Sequence, residues 1–461
     1  MADKLFCRGA LIIYILLVYA FYPTFHLSVD SVPHTLYQYL AQSFLSGHLD
    51  LLVQPSQELL HLPDPYDSIK NYKLRLPDAS LYNSKYYIYF GPLPIIIFHL
   101  PFKLLTGFYP SDDLAAFFFL AIGFMVNFFL VMKIKEQYFS HISELQLGFM
   151  GALLGFTNGA PFLLSRPLVY EIAIASAFCF MSLALFFLYK ITHQNKTKDI
   201  VLFSLCLSLC VAGRPHFVII CFFLLCALLL YLLKHANKPV LTLITALFIP
   251  AIAVGFMLAL YNYLRFGSIW DFGHFWQLSC NNIQALHGEL VDLSKIPRNL
   301  VYSFYFYFLQ PFKIVDLFPY IRLIWHNCWY HIDNDYYLEA IAGVLITTPF
   351  ILLVFALPKL LLIYFREKSQ ETPLLWFLSF TFFVPLINAL FLLLLPFAIQ
   401  RYQVDFIPYW IFLAIITLWL YEDYASHSIY FKFVRIIFII TGVISIYVGF
   451  SFGLAYWSPL P

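Results

Sequence analysis

Long apolar runs, most of them close to 20 residues, constrain this sequence more than any other feature. A helix needs about 20 apolar residues to cross the hydrocarbon core of a bilayer. The runs lie at 9–27, 114–132, 147–165, 172–190, 200–213, 217–234, 240–262, 338–363, 373–398, 405–421 and 433–456. Apolar residues make up 62% of the chain and charged residues 11%, against about 45–50% and about 25% in soluble domains. The sequence therefore predicts a single membrane domain, 1–461, an all-α polytopic protein with about eleven transmembrane helices.

Basic residues orient the predicted helices. They concentrate in alternate connections, which contain Lys4 and Arg8, Lys133 and Lys135, Lys190, Lys196 and Lys198, Lys234 and Lys238, Arg366 and Lys368, and Lys432 and Arg435. The positive-inside rule assigns these connections to the cytoplasm. The sequence thus predicts a multi-pass protein of the inner (cytoplasmic) membrane, with its N-terminus in the cytoplasm and its C-terminus outside.

Two long segments, 28–113 and 263–337, fall on the outer side in this arrangement. The first contains 91–106, an apolar stretch with three prolines that is short for a crossing. We expect it to form a re-entrant or interfacial helix, which is tolerated where protein covers its backbone. The aromatic-rich residues 300–320 are expected to lie at the membrane interface in the same way.

Both outer segments carry a further local signal. Ser31 is suited to cap a helix that starts near Pro33 and stops at Gly47, lying along the membrane. Cys280 and Cys328 are the only cysteines in the predicted outer segments, where disulfides are permitted, and we expect them to form a bridge.

Each of three short outer turns carries one arginine: Arg166, Arg214 and Arg401. Charges so near the membrane are costly unless they are paired or functional. Glu171 follows Arg166 by five residues and Asp405 follows Arg401 by four, so internal ion pairs are the structural alternative. If these groups converge on one outer cavity, arginine forks suited to phosphate meet carboxylates able to act as a general base.

Other outer residues are less distinctive. Asp30 lies just past the first helix, where it is a functional carboxylate, a second N-terminal helix cap or a solvated loop carboxylate. His34 shows no metal-ligand spacing and is typical of a surface histidine. Tyr86 belongs to the tyrosine-rich stretch 82–89, which either anchors the chain at the interface or lines a sugar or acceptor site.

Five segments carry a family resemblance: SVDSVPHTLYQYLAQSFLSGHLDL, LYNSKYYIYFGPLPIIIFHLPF, LLSRPLVYE, YNYLRFGSIWDFG and RYQVDFIP. Together with one helix, an acidic residue and a long first outer loop, they resemble the GT-C glycosyltransferases. Within that superfamily they resemble glycosyltransferase family 39, the protein O-mannosyltransferase and aminoarabinose-transferase group. Seven predicted crossings before the second outer loop also match that layout. The sequence departs from the family at Asp30-Ser31, where an Asp-Glu pair is usual, and at Gly91-Pro92-Leu93-Pro94, where Lys-Pro-Pro is common.

The resemblance implies transfer of a sugar from a polyprenyl-phosphate-linked donor to an acceptor on the outer face, by an inverting reaction with a carboxylate base. Asp30 resembles the family's catalytic acidic residue after the first helix, Glu171 its second membrane-proximal carboxylate and Arg401 a donor-phosphate ligand. The complete predicted site consists of Asp30 and Glu171 as catalytic carboxylates, Arg401, Arg166 and Arg214 for the donor phosphate, and His34, Tyr86, Tyr402 and Asp405 for substrate.

Two other classes of function stay open on the sequence. A transporter or flippase for a lipid-linked or anionic substrate would use the same arginines, and an internal inverted repeat would favour it. A non-catalytic subunit of an envelope assembly is the third option. The expected partners are a polyprenyl-phosphate sugar donor, membrane lipids and a glycan, lipid or protein acceptor. No basic stripe indicates nucleic acid, and no cofactor is identified, although a divalent metal is left open.

Overall fold

The computed structural model describes residues 2–24, 35–280, 282–284, 292–324, 336–367, 372–425 and 429–455. The α-helices of the first half are α1 (Ala2–Thr24), α2 (Leu36–Leu45), α3 (Gln57–Leu60), α4 (Leu100–Thr106), α5 (Asp112–Tyr138), α6 (Glu144–Phe156), α7 (Ala160–Ser165), α8 (Val169–Gln194), α9 (Thr197–Gly213), α10 (Val218–His235) and α11 (Val240–Phe266). Those of the second half are α12 (Ile296–Phe304), α13 (Val344–Thr347), α14 (Leu357–Glu367), α15 (Thr372–Leu393), α16 (Ile407–Ala425) and α17 (Ile429–Ala455).

Short segments connect these helices. The π-helical segments are Ile95–His99 and Tyr305–Leu309, and the 3₁₀ segments are Pro215–Phe217, His274–Trp276, Leu293–Lys295, Pro349–Ala356 and Gln400–Asp405. Three two-stranded pairs complete the fold: β1 (Ser80–Tyr82) with β2 (Lys85–Tyr87), β3 (Lys313–Ile314) with β4 (Ile321–Arg322), and β5 (Tyr337–Leu338) with β6 (Phe397–Ala398). The first two pairs are antiparallel and the third is parallel.

Eight helical segments within the described ranges are long and apolar enough to cross a membrane. They are Phe6–Thr24, Asp112–Tyr138, Val169–Gln194, Pro215–His235, Val240–Phe266, Pro349–Arg366, Thr372–Leu393 and Phe433–Ala455. Each coincides with a predicted run. The all-α polytopic fold class is therefore confirmed, while the number and direction of the crossings stay predictions.

The three other predicted runs are helical but differ from a full span. The run 147–165 is divided into α6 and α7, because Asn158 Oδ1 accepts a hydrogen bond from the Ala160 N–H at 2.8 Å and Gly159 takes a left-handed φ of +81°. Helix α9 has only 17 residues. Helix α16 begins at Ile407, after the 3₁₀ segment that occupies the start of the predicted run 405–421.

Helix α8 lies at the centre of the bundle. In its apolar window 78% of the residues are buried, against 17% for α1 and for α17 and 22% for α11. Its small residues Ala173, Ala175, Ala177 and Ser176 allow close packing, and they are almost fully buried. The N-terminal turn of α8 carries Glu171, which is itself buried.

The helix termini beside the lysine-rich connections lie together at one end of the bundle. The contacts are Arg8 Nε to Glu144 Oε2 (2.9 Å), Lys135 Nζ to Glu144 Oε1 (2.9 Å), Tyr138 Oη to His193 Nε2 (2.5 Å), Lys238 Nζ to Thr197 Oγ1 (3.0 Å), Gln146 Nε2 to Glu422 Oε2 (3.4 Å) and Arg435 Nη1 to Glu422 Oε1 (3.7 Å). These pairs join the ends of α1, α5, α6, α8, α9, α11, α16 and α17. The predicted alternation of the basic connections thus has a spatial counterpart in the fold.

The two predicted outer segments meet at the opposite end. The N–H of Asp78 donates to the Leu278 carbonyl at 2.9 Å, and the Leu278 N–H donates to the Ala79 carbonyl at 2.8 Å. Ser80 Oγ donates to the Gly273 carbonyl at 2.8 Å. These bonds fasten the β1–β2 hairpin of the first segment to the second segment.

The outer helices differ in part from the sequence expectations. Helix α2 begins at Leu36, after Thr35, whose hydroxyl donates to Asp112 Oδ1 at 2.8 Å, and it ends before Gly47, which has a φ of +75°. The expected cap Ser31 and the start near Pro33 lie outside the described residues. The segment Ile95–Thr106 is helical and short, so its length fits the expected re-entrant or interfacial helix. Cys328 also lies outside the described residues, so the disulfide stays a prediction.

Candidate functional site

Arg401 is the centre of a cluster of charges at the end of the bundle that carries the two predicted outer segments. It lies on the buried 3₁₀ segment between α15 and α16, and its side chain is only 6% exposed. Its Nη1 lies 2.7 Å from Glu339 Oε2 and its Nη2 lies 3.4 Å from Glu339 Oε1, which is a two-pronged ion pair. Nη1 also lies 4.0 Å from Glu171 Oε1. The guanidinium stacks over the Tyr170 ring at 4.5 Å.

Glu171 occupies the first turn of α8 and is 3% exposed. Its Oε2 accepts the Leu168 N–H at 3.2 Å, which satisfies a backbone donor at the start of the helix. Its Oε1 faces Arg401. The predicted convergence of Glu171 and Arg401 is therefore present in the structure, and Glu171 serves at least as a helix cap and counter-charge.

Arg214 forms a second ion pair beside the first. It follows the last residue of α9, and its Nη2 donates to Asp405 Oδ2 at 2.7 Å. His216 Nε2 lies 3.4 Å from the same oxygen. Asn388 Nδ2 donates to the Asp405 carbonyl at 2.8 Å and fixes the backbone there.

The structural alternative, an internal pair between Arg401 and Asp405, is wrong, because each residue pairs with a more distant partner. The segment Gln400–Asp405 is a 3₁₀ helix rather than an α-helix. With three residues per turn, side chains four positions apart diverge by about a third of a turn. Arg401 and Asp405 therefore point to different neighbours, Glu339 and Arg214.

Tyr402 contacts both arginines. Its ring centroid is 4.5 Å from the Arg214 Cζ and 5.6 Å from the Arg401 Cζ. The Nε atoms of both arginines are buried, and among the described residues neither has a hydrogen-bond partner. An arginine offers five N–H donors, and the carboxylates engage the Nη side, so each guanidinium keeps an unused donor.

A third carboxylate, Asp78, adjoins this cluster through Tyr170. The Tyr170 hydroxyl donates to Asp78 Oδ1, and Gln277 Nε2 donates to the same oxygen at 3.0 Å. Burial raises the pKa of the Asp78 carboxyl, and the Tyr170 hydrogen bond together with the charges of Arg401 and Arg166 opposes the rise. Arg166, at the end of α7, thus contributes positive potential to the site.

The structure places the remaining predicted site residues as follows. Tyr86 is 2% exposed, and its hydroxyl accepts the Leu76 N–H at 3.3 Å, so it packs the hairpin instead of facing the arginines. Asp30 and His34 lie outside the described residues, and their assigned roles stay predictions. Among the described residues, no group of three or more His, Cys, Asp or Glu side chains is arranged to hold a metal ion.

Two functional candidates escaped the sequence reasoning. Glu339 falls at the start of the predicted run 338–363, and a carboxylate inside an apolar run is itself a signal of function. The predicted helix starts too early at this residue. The chain at Tyr337–Leu338 is a strand paired with Phe397–Ala398, and the helices begin after it. Asp78 gave no comparable signal, because it lies in a loop where carboxylates are common.

No protein-family model matches the sequence, and no curated protein matches it. Among solved structures, the chain is similar to the crystal structure of ArnT from Cupriavidus metallidurans bound to undecaprenyl phosphate. The similarity covers 97% of this chain and 76% of that chain, with 11% sequence identity and a TM-score of 0.47. At this identity and TM-score the likeness assigns neither a function nor a residue role to this chain.

Proposed function

We propose that this protein transfers a sugar from a polyprenyl-phosphate-linked donor to an acceptor at the outer face of the membrane. The observation that carries the proposal is the pair of arginines, Arg401 and Arg214, which both contact the Tyr402 ring and each keep an Nε without a partner among the described residues. Two guanidiniums in one buried place are costly for stability alone, because each must lose its hydration.

Phosphate is the group that fits these donors. A guanidinium presents a rigid planar fork that matches the oxygens of a phosphate, and it stays charged at all physiological pH values. Glu339 and Asp405 hold the two forks in place through the Nη atoms. The buried Nε donors have no partner among the described residues, so an anion that enters the cluster can accept their hydrogen bonds.

The position of the arginines favours a lipid-linked phosphate. Arg214 follows the end of α9, and Arg401 lies between α15 and α16, so both are at the ends of apolar helices. A polyprenyl phosphate keeps its anionic group at that depth, because its chain stays in the hydrocarbon core. The sequence segments that resemble glycosyltransferase family 39 include both the Arg401 segment and the Glu171 segment.

The reaction is a displacement at the sugar's anomeric carbon. The acceptor oxygen forms the new bond to that carbon from one side while the bond to the phosphate oxygen breaks on the other, which inverts the configuration. The acceptor's proton passes to a carboxylate base, assigned first to Asp30 and second to Glu171. The polyprenyl phosphate leaves as an anion, and Arg401 and Arg214 stabilise its charge.

The purified protein in lipid nanodiscs tests this proposal. We expect it to bind undecaprenyl phosphate, and we expect it to release undecaprenyl phosphate from an undecaprenyl-phosphate monosaccharide when a membrane extract supplies the acceptor. Mass spectrometry measures the donor and the released lipid. Binding without consumption, together with movement of the lipid between the leaflets of liposomes, would instead identify a flippase.

A further inference from the structure

Asp78 lies at the junction of the two outer segments. Its N–H donates to the Leu278 carbonyl at 2.9 Å, so its backbone is fixed by the second segment. Its φ of +63° is in the left-handed region, which aspartate tolerates better than most residues. The position of its side chain is therefore set by the fold rather than by the flexibility of a loop.

The two oxygens of the Asp78 carboxylate differ in their contacts. The Tyr170 hydroxyl and Gln277 Nε2 both donate to Oδ1. Among the described residues, no hydrogen bond or ion pair reaches Oδ2. The residue is partly exposed, and Oδ2 is not among the fully buried side-chain oxygens that lack a partner. If Asp78 served only to organise the loop, its second oxygen would not be needed. An asparagine would offer the same single oxygen to Tyr170 and Gln277 without burying a negative charge.

Tyr170 connects Asp78 to the arginines. Its hydroxyl binds Asp78, while its ring lies under the Arg401 guanidinium at 4.5 Å. The ring is fixed from another direction by Phe90, whose centroid is 4.9 Å away with the planes at 88°. Tyr170 therefore contacts both Arg401, whose N–H groups can bind an anion, and Asp78, whose Oδ2 can accept a hydrogen bond.

We propose that Asp78 binds a hydroxyl of the acceptor beside the one that attacks, with Oδ2 accepting its hydrogen bond and Tyr170 and Gln277 holding the carboxylate in place. This inference rests on the proposed function. It specifies the acceptor as an uncharged hydroxyl, because a carboxylate or phosphate group would be repelled by Asp78.

The charge state of Asp78 gives a readout that a purely structural role would not produce. The carboxylate form has the free acceptor, and burial raises the pKa of the carboxyl. The groups that face it are the Tyr170 hydroxyl, the Gln277 amide and the charges of Arg401 and Arg166. Because the folded pKa is raised, protonation begins at a higher pH than usual, and acceptor binding is lost as the pH falls through that pKa.

The test compares Asp78→Asn with Asp67→Asn in the full-length protein in nanodiscs. Asparagine keeps an oxygen for Tyr170 and Gln277 but turns the second oxygen into an N–H₂ donor, so the fold is preserved while acceptance is lost. Asp67 lies in the same outer segment, and its Oδ1 accepts the N–H groups of Ile69 and Lys70, bonds that an asparagine also makes. The probes are undecaprenyl phosphate for binding and an undecaprenyl-phosphate monosaccharide with membrane extract for turnover.

We expect Asp78→Asn to bind undecaprenyl phosphate as the wild type does and to turn over roughly tenfold to a hundredfold more slowly, the loss expected for a hydrogen bond to a charged group. Its low-pH loss of activity should disappear, and Asp67→Asn should match the wild type. Unchanged turnover and an unchanged pH profile in Asp78→Asn would overturn the inference and leave the proposed function standing. Failure of the wild type to bind or consume the lipid probes would overturn both.

Discussion

Arg401 is the residue whose substitution tests the phosphate site most directly. We expect Arg401→Lys to weaken the affinity for undecaprenyl phosphate by roughly tenfold or more, because lysine keeps the charge but loses a charge-assisted bond of about 1.5–3 kcal/mol. Lysine also loses the flat stack on Tyr170. A thermal-shift titration with undecaprenyl phosphate measures the affinity.

Arg435→Lys is the matched control for this prediction. Arg435 pairs with Glu422 at 3.7 Å at the lysine-rich end of the bundle, far from the site, and its side chain is 45% exposed. It should bind the lipid as the wild type does. Equal affinity in Arg401→Lys and in the control would show that Arg401 is a structural residue.

Removing the charge of Glu339 is expected to change lipid affinity in the opposite direction. Its carboxylate occupies the Arg401 fork and places a negative charge where the phosphate is expected to approach. Glu339→Gln removes that charge, so we expect tighter binding of undecaprenyl phosphate together with a lower melting temperature, because a buried arginine loses its main partner. Lipid titration and thermal melting measure the two effects.

Glu58→Gln is the control, since Glu58 is exposed in the first predicted outer segment and undergoes the same chemical change. Binding weakened by Glu339→Gln but not by Glu58→Gln would mean that Glu339 orients Arg401 for the ligand instead of competing with it. Either result separates the two roles of the carboxylate.

The sequence predicted members of the site where the local residue pattern is chemically unusual. It did not predict which residues they contact. Arginines in short turns between apolar runs marked Arg401 and Arg214 correctly as members of one cluster. Their actual partners, Glu339 and Asp405, are separated from them by 62 and 191 positions, and no local pattern encodes such a pairing. The pair that spacing alone suggested, Arg401 with Asp405, depends on an α-helical turn that the chain does not form there.

At the scale of elements, Gly91 joins the predicted re-entrant segment to the bundle. A Cβ at Gly91 would lie 1.8 Å from the Ala212 carbonyl oxygen and 2.8 Å from its carbon, both of them backbone atoms at the end of α9. We expect Gly91→Ala to destabilise the protein by about 1–3 kcal/mol or more, because the two elements must separate. Melting temperature and yield in detergent measure the loss.

Gly148→Ala serves as the comparison, since Gly148 lies within α6 and a Cβ added there would meet no atom of a neighbouring element within 4 Å. Alanine should be neutral or stabilising there, because glycine is disfavoured inside a helix by about 1 kcal/mol. Equal stability of the two variants would contradict the tight packing of the segment on α9. Since Arg214 directly follows that helix end, Gly91→Ala should also weaken lipid binding.

Helix existence was predictable from hydropathy, and helix interruptions were not. A run such as 147–165 is apolar throughout, yet Asn158 and Gly159 break it by a side-chain bond and a left-handed turn. The packing of Gly159 explains the break: a Cβ there would lie 2.5 Å from Val404 Cγ2, beside the Arg401 segment. The interruption therefore lets Val404 and the rest of the Arg401 segment pack against Gly159, a long-range contact that the sequence pattern does not reveal.

At the scale of the whole molecule, the fold separates two kinds of charge. Contacts of lysine side chains join the helix termini at one end of the bundle. Ion pairs of Arg401 and Arg214 join the helix termini at the other end. If the lysine-rich end faces the cytoplasm, the positive-inside rule is satisfied and the arginines face outward, where the proposed donor and acceptor meet.

Cysteine labelling in intact cells tests this orientation. In a background where Cys7, Cys226, Cys280 and Cys328 are serine, single cysteines replace Lys196 or Lys238 at one end and Lys70 at the other. Lys196 is exposed, and the Lys70 side chain is 58% exposed, so reagent access at those positions depends on the side of the membrane rather than on burial. A membrane-impermeant maleimide should label Lys70→Cys in intact cells, and it should label the other two only after the membrane is opened. Labelling of Lys196→Cys or Lys238→Cys from outside would reverse the orientation and place the arginines in the cytoplasm, where a donor on the outer face could not reach them.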